Sequence, residues 1–330
     1  MIPVTSRPVQ SDIITVIPVY NGERFLLKTL ESVAAQTLRP DRLVILDNCS
    51  TDGTEKIVRE FQGMKCEFIR NEKNLGLFGN MNRALEFAEQ TRYLHILCAD
   101  DLITPRFFAT LIPTLKDCTG YGMAFCLDER IDEHGEYLSM SGKITGAVEV
   151  IPSADYLAQK AEIANQALGG TIYRSDFKKL PCQFRMDMPI LADVVFYGQF
   201  GKDCERIVKV HDTLTQYRWH GTNQSCELMP GLQQLVLDEW KTMQLIEAMR
   251  GQTGFIRSCK LKGLFGVRSG IKALRIRQLG NPKYSREIAA AGRNISGWPL
   301  WLAAQCVVHA RELLVYGLMR RRRMPQNVFG

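Results

Sequence analysis

The stretch IITVIPVYNGERFLLKTLESVA, residues 13–34, decides how the rest of the chain is read. Its first part, Ile13 to Val19, is a β-branched and almost wholly apolar run, which suits a short strand buried on both faces. Tyr20-Asn21-Gly22 interrupts it with turn chemistry, and Leu26, Leu27, Leu30, Val33 and Ala34 then recur at helical spacing. The unit repeats. Leu43 to Leu46 reads as a second strand with Asp47 at its end, and Ser50-Thr51-Asp52-Gly53 leads into a helix bearing Ile57, Val58 and Phe61. Cys66 to Arg70 is a third strand, Asn71 to Gly79 a loop, Met81 to Glu89 a helix, and Tyr93 to Cys98 a fourth strand running directly into Asp100-Asp101. This alternation predicts an α/β domain with a mostly parallel sheet flanked by helices.

Further along, the pattern predicts a helix from Pro105 to Leu115, a strand over Met123 to Leu127 and a polar hairpin or loop over Ile131 to Thr145. Helices follow at Ser153 to Ala164 and Pro189 to Phe200, with strands at Thr171 to Tyr173 and Thr213 to Arg218. The main domain is expected to span residues 1–227, and residues 228–330 to form a basic helical extension.

The 330 residues are 45% hydrophobic and 23% charged, a balance that excludes a disordered chain. The ten cysteines are scattered without any C-x-x-C pair, which argues against a zinc site or a disulfide framework. The first eleven residues lack the pattern of a signal peptide, so a cytoplasmic location is expected. Charge is uneven: residues 251–330 carry fifteen Lys or Arg against Glu287 and Glu312, a net +13, which leaves −6 for the remainder. The tail therefore suits an anionic partner, while the acidic body disfavours nucleic acid. Within Leu300 to Met319, Gln305, His309 and Glu312 share one helical face, which makes a poor membrane span. Two readings stay open. With Trp298, Trp301 and Arg320 to Arg323 this helix suits an anionic membrane surface, which would place the protein peripherally at the inner face; otherwise it is a helix docked on the main domain.

Adjacent carboxylates such as Asp100 and Asp101 are costly to hold together unless a cation compensates them, which points to Mg²⁺ or Mn²⁺. Ligands of open α/β sheets gather at the carboxyl ends of the strands, where this chain places Tyr20-Asn21, Asp47-Asn48 and Asp100-Asp101. There is no G-x-G-x-x-G and no G-x-x-x-x-G-K-S/T, so dinucleotide and P-loop sites are disfavoured. What remains is a nucleotide site that relies on a metal.

Four ordered motifs, Val16-Ile-Pro-Val-Tyr-Asn-Gly22, Leu46-Asp-Asn-Cys-Ser-Thr-Asp-Gly-Thr54, Asn74-Leu-Gly76 and Cys98-Ala-Asp-Asp101, resemble those of the inverting family 2 glycosyltransferases, which have the GT-A fold. The resemblance covers roughly residues 13 to 105, with weaker matches to about 225. It implies that Pro18, Tyr20 and Glu23 border the nucleotide base, that Asp47 contacts the base or ribose, that Asp100 lies near the ribose and donor sugar, and that Asp101 ligates the metal. Asn74, Gly76, Asn80 and Arg83 complete the donor side. The catalytic base is matched best by Asp193 in Leu191-Ala-Asp193, with Asp187 a rival. Tyr217-Arg-Trp-His220, followed by Asn223-Gln-Ser225, resembles the basic segment after the base and would bring His220 to the metal or pyrophosphate. Trp219 is left between stacking on an acceptor sugar and packing in the core. The chain departs from the family pattern at Asn48, Cys98 and Ala192, where acids are usual.

The function so implied is metal-dependent transfer of a sugar, from a UDP-sugar foremost, to a saccharide or lipid-linked saccharide in cell-surface polysaccharide synthesis. A non-catalytic scaffold that keeps the nucleotide-sugar site is the alternative. A nucleotidyltransferase would need a glycine-rich basic loop after the first strand, which Tyr20 to Glu23 does not supply.

Overall fold

The computed structural model describes residues 11–164, 166–221, 232–251, 254–278 and 280–321. The chain divides into two compact units, Met1–Glu227 and Leu228–Gly330.

The first unit is built on a 10-stranded sheet. Its strands are β1 (Ser11–Val19), β2 (Arg42–Asp47), β3 (Cys66–Arg70), β4 (Thr91–Ile96), β5 (Leu102–Ile103), β6 (Gly122–Ile131), β7 (Tyr137–Met140), β8 (Val148–Val150), β9 (Thr171–Arg174) and β10 (Arg206–Arg218). They lie in the order β3-β2-β1-β4-β9-β6-β10-β5, with β7 on β6 and β8 on β10. β1 is central, which explains its unbroken apolar run: Ile14, Val16 and Ile17 have no exposed surface, and Val16 sits between Val44 of β2 and Ile96 of β4.

The helices of this unit are α1 (Leu26–Ala34), α2 (Thr54–Glu60), α3 (Leu77–Leu85), α4 (Phe107–Leu111), α5 (Ser153–Ala161) and α6 (Ala192–Asp203). α1 buries Leu26, Leu30 and Val33 against the sheet, while Leu27 stays on the outer face. α3 begins four residues earlier than the sequence pattern predicts. Gly76 adopts φ +73°, a left-handed turn that needs no Cβ, and so starts the helix directly after the loop.

The expected parallel sheet holds for β3-β2-β1-β4. Beyond β4 the sheet is mixed, because β9 inserts antiparallel to both β4 and β6. β6 and β10 pair in parallel, and the predicted hairpin over Ile131 to Thr145 places β7 antiparallel on β6. β10 is twice as long as its recognisable part, since irregular register between Val210 and Thr213 breaks the period-2 pattern that marks a strand.

The second unit contains α7 (Leu232–Met249), α8 (Phe255–Gln278), α9 (Pro282–Ser296) and α10 (Trp298–Arg321). α10 is a packed helix within this unit. Gly266 and Gly270 of α8 let Ala304 and Val308 approach closely, and Trp301 lies on Gly292 of α9. Ion pairs Lys272–Glu239 at 2.6 Å and Arg257–Glu247 at 2.7 Å join α8 to α7. Among the described residues no helix is long and apolar enough to cross a membrane. The side chains of Arg311, Glu312 and Arg320 to Arg323 lie outside the described set.

His95 of β4 reports on the core of the first unit. Its Nε2 lies 2.9 Å from the Gly169 carbonyl oxygen, and its ring packs 4.8 Å from that of Phe107 and 5.2 Å from that of Phe108. Burial pushes its pKa from 6.5 down to about 4, so the folded protein holds the ring neutral. The unfolded chain takes up a proton near pH 6.5 and the fold does not. The contribution is therefore complete above pH 6.5 and is lost as pH falls towards 4, by roughly 3 kcal/mol in all. Urea unfolding between pH 7.5 and 4 should decline less steeply in His95→Gln than in the parent protein. Identical slopes would contradict this assignment.

Candidate active site

Two loops at the carboxyl ends of β1 and β2 are stitched together by side chains. Asn21, itself at φ +52°, receives the Thr51 N–H on Oδ1 at 2.8 Å and donates its own N–H to Ser50 Oγ. The Gly22 N–H donates to Thr54 Oγ1, the Glu23 N–H to Asp52, and the Gly53 N–H back to the Glu23 carboxylate at 3.0 Å. Glu23 thus braces the start of α2. Tyr20, 52% exposed, stands free of this lattice at the end of β1, whereas Pro18 is buried within the strand.

Asp47 has no exposed surface. Its carboxylate receives the Ser50 N–H and an ion pair from Arg70 at 3.1 Å, while Arg70 also donates to the Ser50 carbonyl at 2.8 Å. In this arrangement Asp47 braces the loop after β2 through Ser50 and Arg70.

Asn48, at the position where an acid is usual, is the hub of an amide network. Its Nδ2 donates to Asn74 Oδ1 at 2.9 Å and to the Gly76 carbonyl at 3.2 Å, and its Oδ1 receives the Asn71 side chain and the Leu75 N–H. Asn80 is buried and spans from the Leu46 carbonyl to Asn71, so it faces inward rather than into the crevice. Arg83 reaches Asn71 Oδ1 from α3 and stays partly exposed. Asn74 and Gly76 are exposed at the rim.

The Asp100–Asp101 turn is clamped from two sides. Thr29 of α1 donates to the Ala99 and Asp101 carbonyls. From the end of β10, the Arg218 backbone N–H donates to Asp101 Oδ1 at 3.0 Å, its Nε to the Asp100 carbonyl and its Nη1 to the Asp132 carbonyl. The guanidinium lies 5.0 Å over the Phe25 ring. The two acids thereby differ in exposure and in partners. Asp101 is 2% exposed, and burial followed by the charge of Asp100 raises its pKa well above the carboxylate range. Asp100 is the more accessible, and its Oδ2 lies 2.9 Å from His220 Nε2. The His220 ring is held 4.7 Å from that of Phe25.

Cys98 completes the corner: ligand atoms of Cys98, Asp100 and Asp101 lie within 4.8 Å of one another. Burial, then the charges of Asp101, Asp100 and Asp193, push the Cys98 thiol well above its ordinary pKa, so it remains a neutral thiol. Mg²⁺ and Mn²⁺ prefer carboxylate oxygen to a protonated sulfur. The carboxylates of that group, Asp100 foremost because it is the more exposed, are the oxygen donors available to such an ion.

Asp193 sits in the first turn of α6, with its Oδ1 receiving the Val194 N–H at 2.8 Å. Its charge is one of those that bear on the Cys98 thiol. Burial raises its pKa, opposed by the Val194 N–H and by Lys160. The rival Asp187 is exposed at the surface and paired in two-pronged fashion with Arg185 at 2.9 and 2.8 Å. Trp219 is 42% exposed and is no core residue. Asn223 to Ser225 lie outside the described residues.

Residues 14–163 match the family model described as glycosyl transferase family 2. The chain carries a family 2 glycosyl transferase domain. A stretch of 87 residues is 32% identical to the Escherichia coli UDP-Glc:alpha-D-GlcNAc-diphosphoundecaprenol beta-1,3-glucosyltransferase WfgD, covering 26% of this chain and 34% of that protein. The chain spans less than half the length of this and other curated relatives it matches. Among solved structures, Staphylococcus aureus TarS 1–349 in complex with UDP-GlcNAc superposes with a TM-score of 0.56 at 16% identity, covering 86% of this chain and 92% of that one. The mannosyltransferase PcManGT from Pyrobaculum calidifontis, in complex with GDP-Man and Mn²⁺, superposes with a TM-score of 0.50 at 14% identity, covering 90% and 91%. The architecture is the GT-A fold with additional C-terminal helices.

Sequence reasoning passes over several residues that shape this family 2 site. Arg70 ends β3 just as Asp47 ends β2, so the rule that ligands collect at strand ends could have drawn attention to it. Arg218 lies inside the Tyr217–His220 segment, beside the residue singled out there. Asn71 gives no signal in sequence, because its role rests on Asn48 and Asn80. Asn48→Asp would set an acceptor against Asn74 Oδ1 and the Gly76 carbonyl. The expected cost is about 1–3 kcal/mol, with faster amide hydrogen exchange at Leu75 and Gly76. Unchanged stability and exchange would show that the network does not hold the loop.

Proposed function

We propose that this protein is an inverting glycosyltransferase that moves a sugar from a nucleoside diphosphate donor, a UDP-sugar foremost, to a hydroxyl of a saccharide or lipid-linked saccharide in cell-surface polysaccharide synthesis. The observation that carries this reading is the match of residues 14–163 to the family model, with Asp100 of that stretch held 2.9 Å from His220. Tyr20, exposed at the end of β1, is suited to lie against the nucleotide base, and Asn74, Gly76 and Arg83 form the rim beside it. Asp100 and His220 would hold a Mg²⁺ or Mn²⁺ ion, which when bound neutralises the charge that builds on the departing diphosphate.

Asp193 is the base. Its carboxylate accepts the proton of the acceptor hydroxyl as that oxygen bonds to the anomeric carbon; the bond to the diphosphate breaks on the opposite face, and the centre inverts. A pKa raised by burial suits this task, since it brings proton affinity closer to neutral pH. Trp219 offers an apolar face for an acceptor sugar ring. A lipid-linked acceptor is supported by the acceptor in the name of WfgD and by the basic C-terminal unit, where the exposed Phe255 and Ile256 adjoin Arg257 and Lys260.

Release of sugar from UDP-glucose, UDP-GlcNAc and GDP-mannose with Mn²⁺ tests the reading. The parent protein is expected to turn over at least one of the three, and Asp193→Asn to lower that rate by roughly a hundredfold or more with little change in KM. Turnover unaffected by Asp193→Asn would remove Asp193 as the base. Donor binding without turnover by the parent protein would point to a scaffold.

A further inference from the structure

The helices of the second unit bring exposed apolar side chains to one end. Gly266 of α8 lies against Ala304 of α10 and Gly270 against Val308, so these two helices run parallel. α9 runs the other way: Ser296, its last residue, donates to the Lys262 carbonyl at 2.9 Å, and Gly292 lies against Ser269. The first turns of α8 and α10 and the last turn of α9 therefore share one end of the unit. This register sets Trp298 level with position 260 of α8, and at 1.5 Å per residue Phe255 and Ile256 stand roughly 6–8 Å further out. Ile256 falls, at helical spacing through Gly263, on the stripe that carries Gly266 and Gly270 against α10. Phe255 is 83% and Ile256 85% exposed, the highest values for large apolar residues among the described residues, and Trp298 is 60% exposed.

The same end is positively charged. From residue 248 to residue 311 the chain has one acid, Glu287, which lies in the first half of α9, towards the opposite end. Glu247 of α7 is met by two cations, Arg250 at 2.6 Å and Arg257 at 2.7 Å. Lys260 is exposed and stands one turn after Ile256, and the Arg293 guanidinium lies 4.6 Å over the Trp298 ring. Among the described residues no carboxylate pairs with either.

We propose that this end of the second unit docks on an anionic bilayer surface: Phe255, Ile256 and Trp298 enter the interface, and Lys260 and Arg293 meet the lipid phosphates. Apolar tips with cations about a turn behind them match a bilayer, whose acyl region and phosphates are layered in that order. An indole suits the headgroup level between the two. A second copy of the chain is a poor occupant, because it would set the same cations face to face with few acids to separate them. The surface differs from the one expected of Trp298 together with Trp301, since Trp301 is buried on Gly292 and the start of α8 takes its place. It deepens the reading of a lipid-linked acceptor and rests on neither the donor nor the base.

The test is co-sedimentation of the full chain with vesicles of phosphatidylcholine and phosphatidylglycerol in equal parts, and with vesicles of phosphatidylcholine alone. The parent protein should pellet with the mixed vesicles, less so as salt is raised, and far less with the neutral ones. Phe255→Ser combined with Ile256→Ser should lower vesicle affinity roughly tenfold or more, and Lys260→Glu about tenfold, with thermal unfolding and donor turnover in solution unchanged. Should the double variant fail to fold, Ile256→Ser alone takes its place. A parent protein that stays in the supernatant with mixed vesicles overturns the proposal, as does a folded double variant that binds them equally well. Self-association of the parent without vesicle binding, lost in the double variant, would make this end an interface between copies and also overturn it. Vesicle binding without donor turnover upholds the docking surface while removing the enzymatic reading, and turnover without vesicle binding does the reverse.

Discussion

The hydrogen bond from the Arg218 backbone to the buried Asp101 carboxylate ties the far end of the sheet to its centre. Asp101 follows β4, and Arg218 ends β10, which is separated from β4 in the sheet by β9 and β6. Joining them closes the corner in which Asp100 and His220 meet. An exposed pair of acids at a strand end would turn both carboxylates to solvent and repel. Here the backbone N–H and the nearby guanidinium compensate one acid inside the protein, and the other is left to the crevice. The same arginine carries its charge onto Phe25, whose ring also supports His220, so α1, β4 and β10 converge on one cluster.

The loops after β2 and β3 rest on neutral groups. In a glycine-rich phosphate loop, backbone N–H groups do the binding and small residues allow close approach. This domain instead fixes its loops with side-chain amides: Asn48, Asn71, Asn74 and Asn80 satisfy one another and several backbone groups. An acid at position 48 would bring charge into a region already holding Asp47, and Arg70 is the cation that meets Asp47. Asparagine there supplies donors without adding charge. Departures from the family pattern at Asn48 and Cys98 thus belong to a consistent local arrangement, with neutral groups beside a concentrated pair of acids.

Much of the first unit was legible in the sequence because its information is local. β1 to β4 and α1 announce themselves by period and by the turns between them, and the acids at strand ends follow from the topology. Three things depend on distant partners and were not legible. β9 inserts between β4 and β6 though some seventy residues separate it from β4 in the chain, so the mixed character of the sheet cannot be read from either segment. The different surroundings of Asp100 and Asp101 are set in part by Arg218, which no spacing rule connects to them. Lys160 looks like an ordinary polar residue of a helix until Tyr156 and Tyr197 are placed against it. Asn80 failed for a related reason: helical spacing aligns it with Arg83, but only the structure shows that its amide is consumed by Asn71 and Leu46.

The central claim, that Asp100 and His220 form the metal–nucleotide corner while Asp101 lies beneath it, is tested most directly by electron paramagnetic resonance of Mn²⁺ titrated with the protein and UDP. The account predicts that UDP strengthens Mn²⁺ uptake, seen as loss of the free-ion signal, and that Asp100→Asn abolishes this gain in a protein that remains folded. An equal loss of signal in Asp100→Asn and the parent protein would contradict it.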